Sequence, residues 1–78
     1  MTELAALTAM TSTWDEHVSA ADAQLAIAAL ARLAGDRART HAAATAARDH
    51  LARAVSIIGV DPGFVARRRA WATALAGG

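Results

Sequence analysis

The chain has 78 residues and a formal net charge of +1, with eight cationic side chains, seven acidic ones and no Cys. A length of this order holds one domain at most, and near-neutrality removes any global pull towards nucleic acid or an anionic membrane surface. Without Cys, disulfides, thiolate chemistry and Cys-based zinc sites are excluded.

The 55% hydrophobic fraction contains 24 alanines, which leaves 19 larger apolar side chains. Each of those contributes roughly 1.5–3 kcal/mol when fully buried, against an ordering cost of about 1.5 kcal/mol per residue. A lone monomer is strained on this account, and self-association would relieve it. Alanine is the strongest helix former, Tyr is absent and Phe occurs once, so the fold class is all-α. All eight cations are Arg, a usage that suggests a high-GC genome such as that of an actinobacterium or its phages. The N-terminus lacks a signal-peptide pattern, and no stretch approaches the roughly 20 apolar residues of a membrane span. A cytoplasmic location is expected.

In the first element, Leu4, Leu7, Met10, Trp14, Val18, Ala21 and Leu25 keep one angular phase at 3.6 residues per turn. Thr13-Trp14-Asp15-Glu16 fits a capping box that would start a helix near Trp14. The continuous phase favours a single helix over about 2–34, weakened or bent around Thr11-Ser12-Thr13. A short helix, a break and a second helix is the alternative. Ile27, Leu30 and Leu33 fall roughly 100–200° from the main stripe. A helix of about 33 residues is near 50 Å long, more than two later helices of about 33 and 22 Å can cover. Something else must cover the N-terminal stripe, and a second copy of the chain is the economical candidate. Leu4, Leu7, Met10, Trp14 and Val18 are the residues expected to meet it.

Gly35 suits the left-handed residue past a helix end, and Asp36 suits the N-cap of the next helix. That second helix, about 37–58, carries an apolar stripe of Ala44, Ala47, Leu51, Ala54, Val55 and Ile58. Arg39, Asp49, His50 and Arg53 fall on its opposite face, with Asp49 and Arg53 spaced as a surface pair. Gly59-Val60-Asp61-Pro62 closes it, with Asp61 expected as N-cap and Pro62 in the first turn of the last helix. Short loops make neighbouring helices antiparallel, giving a three-helix bundle with a long N-terminal helix.

The last helix, about 62–76, presents Phe64, Val65, Trp71, Ala72 and Leu75 on one side. Arg67-Arg68-Arg69 is the one charge run. Arg68 projects between Phe64 and Trp71, where it can extend its stem or stack on Trp71. Arg68 and Trp71 are therefore further candidates for partner binding. The run lacks the wider basic surface of a nucleic-acid module, so nucleic acid is disfavoured as a partner.

His17, His41 and His50 show no helical metal spacing, and ordinary surface or boundary positions explain them more simply. A metal bridged between subunits through His17 or His50 has weak support. No phosphate-binding, dinucleotide or nucleophile-elbow motif is present, so no cofactor, metal or catalytic residue is assigned. Leu30-Ala31-Arg32-Leu33-Ala34-Gly35-Asp36-Arg37-Ala38-Arg39 resembles the inter-helix turn of a tetratricopeptide repeat. It covers a turn only, because Gly35 to Pro62 is too long for one repeat. Asp22-Ala23-Gln24-Leu25-Ala26-Ile27-Ala28-Ala29-Leu30-Ala31-Arg32 is similar to the first helix of the small all-helical chorismate mutases. That resemblance implies a dimer and a cationic site built around Lys, which this chain lacks. Both are read as convergence of Ala-rich helices.

The sequence thus points to a protein–protein interaction module, an adaptor, assembly factor or regulator acting as a homo-oligomer or on a larger partner. The alternative is a small helical enzyme or enzyme subunit, with Arg32, Arg37, Arg48 and His41 gathered around an anion.

Overall fold

A computed structural model describes the backbone of residues 2–59 and 61–77, with side chains from Thr13 onward apart from Ile58. Three α-helices, α1 (Thr2–Leu33), α2 (Arg37–Ile58) and α3 (Gly63–Gly77), follow one another, with no strand among the described residues. The all-α, three-helix architecture is the expected one. α1 runs unbroken through Thr11–Thr13, so Thr13 lies inside a helix and does not begin one.

The α1–α2 turn is built from two small-residue rules. Gly35 takes φ +77°, its N–H donates to the Arg32 carbonyl at 3.0 Å, and the Asp36 N–H reaches back to Ala31 at 2.9 Å. This Schellman arrangement satisfies carbonyls that the helix end would otherwise orphan. Asp36 then caps α2, its carboxylate accepting from the Arg39 N–H at 3.0 Å. At the other end of α2, Gly59 has φ +72° and its N–H donates to Val55 at 2.8 Å.

The last junction differs from expectation. α3 begins at Gly63, and the Pro62 carbonyl accepts from both Val65 and Ala66 at 3.0 Å, so Pro62 holds the cap position. Asp61 lies one residue too early to cap. Its carboxylate pairs instead with Arg69, two turns into α3.

The core is a cluster of Ala21, Leu25 and Ala28 from α1, Ala43, Ala44, Ala47 and Leu51 from α2, and Val65, Ala72 and Leu75 from α3. Ala44, Ala47, Leu51 and Ala54 of the expected α2 stripe are fully buried, whereas Val55 is half-buried. The Ile58 side chain lies outside the described residues. Alanines at these positions let helix axes approach closely, but among the described residues they leave only Leu25, Leu51 and Val65 as large, fully buried side chains. α2 is the central element: it packs along α1 on one side and α3 on the other, while α1 and α3 touch little. The molecule is a rod of 51 × 17 × 14 Å, its length set by the 32 residues of α1.

Candidate functional site

On α1 the core-facing residues Ala21, Leu25 and Ala28 fix which side looks outward. Ile27, Leu30 and Leu33 recur every third residue on the far side, with relative exposures of 43%, 67% and 86%. Exposed Ala23, Ala26 and Ala34 fill the spaces between them. A shallow groove of about 360 Å³ borders this strip where Ile27, Leu30 and Ala34 meet Asp36 and Arg39 of the next element. Scattered exposed aliphatics are ordinary, but three on adjoining turns with alanines between form a contiguous apolar face.

Of the residues read from sequence as partner-binding, Leu4, Leu7 and Met10 have side chains outside the described residues. Trp14 packs inside its own chain, edge-on to Phe64 with ring centroids 5.7 Å apart and planes at 89°. Its indole Nε1 is buried without a hydrogen-bond partner. Val18 is half-buried. Arg68 does not stack on Trp71. Its Nε donates to Asp22 Oδ1 at 2.7 Å, its Nη1 donates to the Phe64 carbonyl at 3.2 Å, and its guanidinium lies 5.4 Å from the Phe64 ring centre. Trp71 stays 49% exposed beside Asp22, Ala26 and Arg67. Arg68 is thus committed to holding α3 against α1, and Trp71 is the member of that pair left open to solvent.

Two polar arrangements stand out, the first of them unseen in the sequence. His17 on α1 and His50 on α2 are both half-buried, with their Nδ1 atoms 3.1 Å apart. His50 was expected to face away from the bundle, yet it lies in the α1–α2 seam. The signal was available: folding a hairpin about Gly35 brings residues at similar distances from the turn to the same level. The expected Asp49–Arg53 ion pair does not form.

The second arrangement is a groove of about 440 Å³ at the end of the rod where α1 turns into α2. Arg32, Arg37, Thr40, His41, Leu75 and Ala76 line it, together with both backbone glycines of that end, Gly35 and Gly77. Three of the four residues of the anion alternative meet here. Arg48 is exposed and does not line this groove.

No group of three or more His, Cys, Asp or Glu that could hold a metal occurs among the described residues. No helix among them is long and apolar enough to cross a membrane. Compared with known families, curated proteins and solved structures, the chain has no match.

Proposed function

We propose that the chain is a small helical protein–protein interaction module that pairs with a second copy of itself through the outer face of α1, in the cytoplasm. The observation that carries this reading is the exposure of Leu30 and Leu33, at 67% and 86%, on one continuous face with Ile27. Burying side chains of this size is worth roughly 1.5–3 kcal/mol each. Such a gain matters in a chain whose core has three large, fully buried side chains among the described residues.

A second copy fits because the face is self-complementary. Antiparallel pairing centred near Ala26–Leu30 sets the leucines of each chain over the alanines of the other, in the isologous geometry of a two-fold dimer. The alanines allow close approach, and Arg39 and Asp36 stand at the rim of the strip. The reading retains α1 as the contact helix but moves the contact to the Ile27, Leu30 and Leu33 face, roughly 100–200° around the axis from the expected stripe of Leu4, Leu7, Met10, Trp14 and Val18.

Sedimentation equilibrium at tens of micromolar tests it. The expected result is about twice the 8.0 kDa chain mass, shifting to monomer for Leu30→Gln with the far-UV helical signal retained. A wild-type chain that stays monomeric overturns self-association. A second reading, a small enzyme or enzyme subunit acting on an anion, draws on the convergence of Arg32, Arg37 and His41 in one groove.

A further inference from the structure

We propose that the groove at the α1–α2 turn is a binding site for a small organic anion, a carboxylate or phosphate head on an apolar body, held by Arg32 and Arg37. The argument starts from charge. Arg32 lies in the last turn of α1 and Arg37 is the first residue of α2, so the tight turn at Gly35 brings two guanidinium groups to one rim. None of the described residues that line the groove carries a carboxylate. The ion pairs among the described residues are Arg39–Asp36, Arg68–Asp22 and Arg69–Asp61, and neither Arg32 nor Arg37 takes part in one. Asp36 is the nearest acid in sequence. One of its oxygens caps the Arg39 N–H, and the other lies 4.0 Å from the Arg39 Nε.

The helix field points the same way. Beyond the Asp36 carboxylate at the N-cap, α2 has no acidic residue in its first turn, where the positive pole favours an anion and disfavours cations such as Arg37. A bound anion would relieve that opposition and would meet donors able to grip carboxylate or phosphate in a bidentate fashion. The shape supplies the rest of the ligand. Leu75 and Ala76 give the groove an apolar wall, and its volume falls within the range of small-molecule sites. His41, one turn along α2 from Arg37, donates through Nδ1 to the Ala76 carbonyl at 3.2 Å, which holds the end of α3 against this wall. The groove contains none of Ile27, Leu30 and Leu33, so this proposal stands or falls separately from the dimer.

Titration of the full chain with phenyl phosphate, benzoate and inorganic phosphate, followed by calorimetry, tests the site. At least one aromatic anion should bind saturably, and more tightly than inorganic phosphate. Arg32→Gln and Arg37→Gln should each weaken that binding by about tenfold, the size expected for losing one charge-assisted contact. Arg53→Gln, also exposed on α2 but four turns away, should leave it unchanged. Absence of saturation, equal losses in all three variants, or inorganic phosphate binding as tightly as phenyl phosphate would each overturn the proposal.

Discussion

His17 and His50 point their Nδ1 atoms at each other across the α1–α2 seam, 3.1 Å apart. Their ring centres are 5.4 Å apart, near the largest separation that this nitrogen distance permits, so the contact is close to linear. A hydrogen bond at this distance requires one Nδ1 to carry the hydrogen and the other to accept it. A double-mutant cycle with His17→Ala, His50→Ala and the pair should give a coupling energy of about 0.5–1.5 kcal/mol. Additive losses would show that the two rings are neighbours without a bond.

Trp14 contributes its ring and wastes its N–H. The indole sits edge-on to Phe64, but its buried Nε1 has no acceptor. Trp14→Phe keeps an aromatic partner for Phe64 and removes the orphaned donor, so its thermal midpoint should stay within a few degrees of wild type or rise. Trp14→Ala removes the whole ring and should cost about 3–5 kcal/mol. Equal losses in chemical denaturation would mean that the indole N–H is satisfied in solution.

Leu51 and Leu30 separate core from contact surface. Leu51 is fully buried, and Leu51→Ala should cost about 2–5 kcal/mol, enough to unfold a domain of this size. Leu30→Ala should leave the folded chain intact and weaken association, so that its melt loses the concentration dependence of the wild type. Circular dichroism melts at two protein concentrations distinguish the two outcomes. A Leu30→Ala variant destabilised equally at both concentrations would place that side chain against its own chain.

Asp36 and Asp61 look alike in sequence and should respond differently. Asp36 accepts the Arg39 N–H, so Asp36→Ala should cost about 0.5–2 kcal/mol and Asp36→Asn much less. Asp61 holds Arg69 and no backbone cap. Asp61→Ala and Asp61→Asn should therefore cost similar amounts, within about 1 kcal/mol for a partly exposed ion pair. Urea denaturation of the four variants gives the comparison.

Punctuation was the legible part of this sequence. Gly35-Asp36 announced a left-handed residue followed by a cap because few other residues serve those positions. The α2 stripe through Leu51 was legible because its apolar residues keep one helical phase. Asp61-Pro62 misled, since a helix start can slip by one residue when proline itself leaves no donor to cap. The neighbours of Arg68 were hidden for another reason. Its fork to Asp22 joins residues 46 apart, and no single-helix projection can show what an adjoining helix offers. The anion groove lay between these cases: Arg32, Arg37 and His41 could be grouped by charge, but only the turn decided that Arg48 stays outside.

The order of contacts along the rod also sets how the chain assembles. α1 meets α2 and α2 meets α3, each across a short turn, while α1 and α3 share few contacts. Most closures are therefore local and their entropy cost is small, the topology of fast-folding helical proteins. The α1–α2 hairpin can form on its own side of the structure before α3 arrives. Docking α3 then requires the long-range closures, Arg68 onto Asp22 and Phe64 onto Trp14, both near the start of that helix. On this ordering α3 is expected to dock last, and native-state hydrogen exchange should then be fastest in its amides.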